Sequence, residues 1–242
     1  MKKLCKSTIP VALLASLFMT FFVAGCATTT EQPKAGIMGE KAPLPHSGFL
    51  GDYSQLKPGK EGQAALVYLN PAAQWSKYNK IIIEPVQFWA APDTQVPPSD
   101  QEVLASYFYN ALKENLQKHF TLVDKPGPDV MKLQTALTDA TASTPVLRSA
   151  SVVIPQVRVL NTAQSLATGS YAFVGTAQAE GQIIDSRTGE RLAAAVDKRA
   201  GGMGLKAAAQ WKWGDAQNAM DYWAQRIAQR IVELQTQGKT SD

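Results

Sequence analysis

Cysteine is nearly absent: Cys5 and Cys26 carry the only thiols of the 242 residues, and residues 27–242 have none. A domain built from that stretch has no disulfide, no thiolate nucleophile and no cysteine ligand for a metal. Histidine is as scarce, with His46 at the edge of a polar stretch and His119 at the end of a helical pattern. Neither has carboxylates at ligand spacing such as H-E-x-x-H, so both are expected to be structural. The chain lacks G-x-S-x-G as well. Gly201-Gly202-Met203-Gly204-Leu205-Lys206 falls short of a phosphate loop, because Lys206 follows Leu205 and precedes Ala207. A surplus of one charge is missing too. The formal charge is +4, yet Lys2, Lys3 and Lys6 supply three of the 24 basic residues; without residues 1–25 there remain 21 basic and 20 acidic. That balance gives no electrostatic case for a nucleic-acid partner.

The N-terminus carries the clearest signal. Lys2, Lys3 and Lys6 precede an apolar run from Ile9 to Val23, which is short for a transmembrane span and shaped like a signal-peptide core. The run closes on Val23-Ala24-Gly25-Cys26, which resembles the lipobox of bacterial lipoproteins. The resemblance implies cleavage between Gly25 and Cys26, diacylation of the Cys26 sulfur and acylation of the new amino group. Two or three acyl chains anchor a protein firmly where one anchors it marginally. Ala27, where an aspartate would retain the protein at the inner membrane, points by the same resemblance to an outer-membrane lipoprotein facing the periplasm. No cofactor is implied beyond this covalent lipid.

With 45% hydrophobic and 18% charged residues, the rest of the chain suits one globular domain. The expected organisation is a signal peptide at 1–25, an acylated Cys26 with a flexible tether at 26–46, a single domain at 47–236 and a disordered tail at 237–242. As a coil, the tether would span about 25 Å. Lys80–Trp89 reads as a β-branched strand interrupted by Pro85. Ser99-Asp100-Gln101-Glu102 reads as a capping box, with Ser99 as N-cap. The helix it opens shows a stripe of Val103, Leu104, Tyr107, Phe108, Ala111, Leu112, Leu116 and Phe120. A short strand at Thr121–Asp124 and an alternating strand at Val130–Ala140 follow. Val152–Ile154 reads as strand, and Val157, Leu160, Ala163 and Leu166 as a short helix. Tyr171–Asp185 and Glu190–Arg199 form a hairpin around a turn closed by Gly189. Asp215 is expected to cap a last helix with Met220, Trp223, Ile227, Ile231 and Leu234 in one stripe. The order predicts an α+β two-layer sandwich, mostly antiparallel, with two main amphipathic helices on one face. The other face then needs cover from the N-terminal segment or from a partner.

Four stretches together resemble one family of uncharacterised bacterial lipoproteins, that of domain of unknown function 3313. They are Ser47-Gly48-Phe49-Leu50-Gly51-Asp52-Tyr53-Ser54-Gln55-Leu56, Tyr78 to Phe88 with Glu84-Pro85-Val86, Asp185 to Glu190, and Trp213-Gly214-Asp215-Ala216. The resemblance covers about residues 47–236 and implies architecture and location, with no functional residue to carry over. The element order is also similar to periplasmic lipoprotein domains of the curli-exporter and TolB N-terminal type, an analogy of fold.

Glu84, Asp124, Glu180, Asp185 and Asp197 lie in or beside strands. Glycoside hydrolysis would require two facing carboxylates, which spacing alone does not establish; exposed strand positions are the ordinary explanation, and Asp185 is suited to bonding the amides of its hairpin loop. Trp211 and Trp213 flank Lys212 and are candidates for an interaction surface, against packing beneath the last helix. Val153 and Val157 are candidates in the stretch 144–171, whose only charges are Arg148 and Arg158. The expected function is therefore a non-enzymatic binding or scaffolding module, held to the membrane by its lipid and working through a protein partner or self-association. The alternatives are an oligomeric component of an export or cell-wall assembly, and a carrier or enzyme for a small ligand. A deep apolar pocket with convergent polar groups distinguishes the last.

Overall fold

The structure is a computed structural model that describes residues 30–32, 44, 46–89, 94–143, 174–201 and 212–237. The signal segment with Gly25 and Cys26, the stretch 144–171 with Val153 and Val157, Trp211 and residues 238–242 lie outside the described residues. Nine strands are present among them: β1 (Thr30–Glu31), β2 (Lys57–Pro58), β3 (Leu66–Leu69), β4 (Lys80–Ile83), β5 (Gln87–Phe88), β6 (Thr121–Leu122), β7 (Val130–Thr141), β8 (Thr176–Asp185) and β9 (Arg191–Gly201). Two long helices accompany them, α1 (Pro98–Leu116) and α2 (Gly214–Gln237). The sheet runs β2-β3-β9-β8-β7-β4-β6, with β1 also paired to β9 and β5 to β7. Pairing is parallel where β4 meets β6 and β7 and where β5 meets β7, and antiparallel elsewhere. This is the expected two-layer α+β sandwich.

Each element follows from its residues. Pro85 ends β4, since it has no N–H for the ladder; the strand resumes as β5, where the Trp89 amide donates to Leu137 O at 2.7 Å. Helix α1 buries Leu104, Phe108, Ala111, Leu112 and Leu116 at helical spacing. Val103, assigned to the same stripe from sequence, is 52% exposed and falls off its edge. The capping box is also corrected. Pro98 occupies the first helical position, where its fixed φ and missing N–H cost nothing, so Pro97 is the N-cap and Ser99 lies inside the first turn. Helix α2 buries Met220, Trp223, Ala224, Ala228, Ile231 and Leu234, and Phe108 packs on Trp223 at 5.9 Å between ring centroids. Asp215 does not cap α2. It sits within the first turn, 1% exposed, and its Oδ2 accepts from the Gly175 amide at 2.6 Å.

Both helices pack on one face, over Met131, Leu133, Leu137, Ala177 and Ile183. The other face is covered by the segment around Ser47–Leu56: Leu50 is buried against Ala194 and Val196, with Phe49, Tyr53, Leu56, Leu66 and Tyr68 around them. The chain itself thus supplies this cover. Tyr53 Oη donates to Glu180 Oε2 and accepts from the amides of Gly48 and Leu50, while the Ser47 amide donates to Glu180 Oε1 at 3.0 Å. Arg191 binds the carbonyls of Leu50 and Asp52 at 2.7 and 2.8 Å. The Tyr53 hydroxyl thus accounts for the Tyr of the SGFL-x-DYS segment, while Ser47 Oγ accepts from the Phe49 amide at 3.1 Å and Asp52 Oδ1 from the Ser54 amide at 2.8 Å.

Asp185 closes the β8–β9 hairpin as expected. Its Oδ1 accepts from the amides of Arg187 and Thr188 at 2.9 and 3.0 Å, and its Oδ2 from Tyr78 Oη at 2.8 Å and Lys77 Nζ at 3.1 Å. Burial alone would push its pKa up. The Thr188 amide, Tyr78, the Arg187 amide and Lys77 outweigh that and hold it well below the ordinary 3.8. A depressed carboxylate pKa contributes stability that is present above the unfolded value and lost as pH falls through the folded one. Asp185→Asn is therefore expected to lower the unfolding free energy at pH 7 by about 1.5–3 kcal/mol, the range for hydrogen bonds to a charged group. Urea titrations at pH 7 and at successively lower pH should show the gap to the parent closing below about pH 4.

Candidate ligand-binding site

The register of the central strands places small residues beneath α2. One row across the sheet reads Thr135, Gly181, Ala195, Val67; the next reads Leu133, Ile183, Ala193, Leu69. Gly181 and Ala195 sit at the centre of the first row, so the sheet surface is hollow where α2 crosses it. The result is a cavity of about 230 Å³, lined by Trp223, Ile227, Ile231 and Leu234 of α2 across from the sheet, with Phe108 and Trp75 also in its wall. A bulge helps to shape it. Ile183 pairs with Ala193 and Ile184 with Arg191, so Leu192 is the extra residue and turns into the helix-side core.

The polar groups of the lining differ in how far they are engaged. Asp197 is saturated: Oδ1 accepts from Gln32 Nε2 at 2.6 Å and the Ala65 amide at 3.0 Å, and Oδ2 from Trp223 Nε1 at 2.8 Å and Arg199 Nε at 3.2 Å. The Arg199 guanidinium stacks over Tyr222 at 3.5 Å. Arg226 and Arg230, one turn apart on the cavity side of α2, both bind a single carboxylate, Glu233, at 2.9 Å each. Arg230 and Arg226 hold the Glu233 carboxyl below its ordinary pKa against the effect of burial. On the floor, Thr135 is 3% exposed and its Oγ1 has no hydrogen-bond partner among the described residues.

The residues singled out from sequence fall elsewhere. Trp213 is 3% exposed, its Nε1 donating to Asp100 Oδ2 of α1 at 2.9 Å while Lys212 Nζ reaches the same oxygen at 2.7 Å; it belongs to the helix-side core and is not a surface residue. Of the five strand carboxylates, Glu180 and Asp197 are buried and paired, which corrects the reading of them as exposed positions, and Asp185 is buried in the hairpin role expected of it. The alternation misleads here because both faces of the sheet are covered. His46 stacks on Tyr53 at 4.1 Å, and His119 is exposed at the end of α1, beside Phe120. No group of three or more His, Cys, Asp or Glu among the described residues could hold a metal ion. No helix among them is long and apolar enough to cross a membrane. The cavity residues Val67, Gly181, Ala193, Ala195, Arg226, Ile227 and Arg230 were not anticipated. Their signal is small residues at alternate positions of two strands opposite a helix with arginines one turn apart, and it requires the register to be read.

A family model described as "Protein of unknown function (DUF3313)" matches residues 45–227. The chain is 28% identical over 185 residues to the "Uncharacterized lipoprotein YdcL" of Escherichia coli strain K12, covering 75% of this chain and 78% of that protein. Among solved structures it is similar to the PelC dodecamer from Paraburkholderia phytofirmans, at 12% identity and a TM-score of 0.36 over 67% of this chain and 94% of that one. It is also similar to a Xanthomonas campestris protein of the DUF330 family, at 10% identity and a TM-score of 0.39 over 72% and 94% of the two chains.

Proposed function

We propose, from the premise that the chain belongs to the DUF3313 family of proteins of unknown function, that it is a lipid-anchored envelope protein whose domain binds a small, largely apolar ligand between α2 and the sheet without transforming it. The lipobox at Cys26 and the lipoprotein name of its Escherichia coli relative support the anchor; Ala27 supports the outer membrane, facing the periplasm. The observation that carries the binding role is the cavity, an apolar concavity with a few convergent polar groups, which is the usual form of a small-molecule site. The engagement of Asp197 supports binding over catalysis, since four donors occupy the carboxylate that a general base would use. The scaffolding role expected first from the sequence rested on Trp213, which is buried, and on Trp211, Val153 and Val157, which lie outside the described residues.

Filling the hollow tests this. Ala195→Phe places a ring where the floor is lowest, and a filled cavity is tolerated or mildly stabilising. In the full mature protein held in an amphipathic polymer, a brominated long-chain alcohol should quench Trp75 and Trp223, which both line the cavity. The variant is expected to raise the quenching midpoint about tenfold, a loss of roughly 1.4 kcal/mol of binding, while its urea midpoint stays near the parent's. An unchanged quenching curve in a folded variant would refute the reading.

A further inference from the structure

The lining of the cavity runs along α2 from Trp223 to Leu234, a helical length of about 16 Å at ~1.5 Å per residue. It is therefore a groove whose length suits an extended hydrocarbon chain better than a compact ring. Its rim is positive, because Arg226 and Arg230 share the one Glu233 carboxylate. An arginine carries five N–H donors in a planar fork suited to carboxylate and phosphate, so the pair retains donors beyond its two bonds to Glu233.

The third observation concerns where the chain enters. Thr30 Oγ1 donates to Ala200 O at 3.2 Å, and β1 pairs with the end of β9, inside the stretch expected from sequence to be a free tether. Gln32 Nε2 then binds Gln63 O and Asp197 Oδ1, and both of those residues line the groove. Cys26 precedes Thr30 by four residues, which span at most about 14 Å when fully extended. A lipid on Cys26 thus holds this end of the groove close to the bilayer surface.

We infer that the groove takes one acyl chain of an anionic membrane lipid, with its phosphate or carboxylate bound by Arg226 and Arg230. The inference rests on the binding role proposed above and names its ligand. Three features select this occupant: the apolar length of the groove, the unbalanced guanidinium charge at its rim, and the short leash from the anchor to β1. Two carboxylates also belong to the lining residues: Asp197 is compensated within the fold by Arg199 and by three N–H donors, and the Glu180 carboxylate is turned to the other face, where the Ser47 amide and Tyr53 Oη bind it, so neither opposes the headgroup.

The test uses the mature lipidated protein in nanodiscs that contain a photoactivatable acyl chain on either phosphatidylglycerol or phosphatidylcholine, with labelled peptides mapped by mass spectrometry. Phosphatidylglycerol is expected to label the α2 and β9 peptides about tenfold more than phosphatidylcholine, the scale of a lost charge-assisted contact. Arg226→Gln with Arg230→Gln should erase that preference, and the double lysine variant should keep it. Glu233→Gln, which removes the competing carboxylate, should increase it. Equal labelling by both lipids overturns the anionic assignment while the apolar site stands. No groove labelling by either lipid, with the brominated alcohol still quenching Trp75 and Trp223, overturns the membrane source. Loss of both signals overturns the site altogether, and competition by a free fatty acid but not by vesicles assigns it to a soluble amphiphile and overturns the inference.

Discussion

Asp197→Ala is expected to destabilise the domain by about 3–5 kcal/mol, the range for removing one partner of a buried ion pair. Both side chains of the Asp197–Arg199 pair are 7% exposed, so water cannot replace the lost carboxylate. The substitution strands the Arg199 guanidinium, the indole N–H of Trp223 and the Ala65 amide together, and leaves the Gln32 carboxamide only its bond to Gln63 O. Those four donors come from β9 itself, from α2, from the residue before β3 and from the residue after β1, so one carboxylate ties the helix layer and the approaches to two strands to the same point. The urea midpoint of the variant should fall with little change in the slope of the transition, because the fold lost is the same fold. Replacing both charges, Asp197→Leu with Arg199→Met, should recover part of the loss, since it removes the uncompensated cation. Trp223→Phe, which deletes the indole donor and leaves a small void in the core, is expected to cost about 2 kcal/mol. If Asp197→Ala costs less than Trp223→Phe, the carboxylate is not the junction described. Asp197 and Trp223 also line the groove, so a folded but loosened variant should bind the brominated alcohol more weakly, as the helix roof loses its tie to the sheet.

The sequence made the two helices and the β8–β9 hairpin legible because each is written in local periodicity: helical spacing in Leu104 to Leu116 and Met220 to Leu234, and turn chemistry at Asp185 and Gly189. Gly189 adopts the positive φ, 74°, that its hairpin position required. Errors occurred where a local rule had a competitor. Ser99 looked like an N-cap until Pro98 claimed the first helical position, and Asp215 looked like one until burial turned it toward the Gly175 amide. The groove was not legible, because no single segment encodes it. It depends on Ala195 standing opposite Gly181 and on a bulge at Leu192, both of which are facts of register. The face opposite the helices was half legible. A need for cover was evident from the patterning, and Phe49 to Tyr53 supplied it, but the bond from Tyr53 to Glu180 joins residues 127 positions apart and leaves no trace in either neighbourhood.

Gly201→Ala should be nearly as damaging, by about 3 kcal/mol, through overpacking of about 1–3 kcal/mol and a displaced charge-assisted hydrogen bond of about 1.5–3. A Cβ at Gly201 would stand 2.1 Å from Asp215 Oδ1 and 2.5 Å from Oδ2, well inside contact distance. Asp215 cannot yield easily. It is 1% exposed at the first turn of α2, its Oδ2 holds the Gly175 amide at 2.6 Å, and Gly175 O in turn accepts from the Gly201 amide at 2.9 Å. Glycine is needed here for close approach: β9 and the β8 entrance must pass the carboxylate without a side chain between them. Gly175 is constrained in the same way, since its Cβ would meet Thr141 O at 2.7 Å. A double-mutant cycle separates this from a general weakness of the strand end. Asp215→Ala alone should destabilise, by loss of the Gly175 bond, but adding Gly201→Ala to it should cost less than about 1 kcal/mol, because the clash is then gone. If the two losses add in full, the carboxylate is not what excludes a side chain at Gly201. The same residues join β9 to the start of α2, and Gly201 pairs with Thr30 of β1, so a folded Gly201→Ala protein should also loosen the entry of the tether. In nanodiscs that variant should lose groove labelling by phosphatidylglycerol while its quenching by the soluble alcohol changes less, because the leash fails before the groove does.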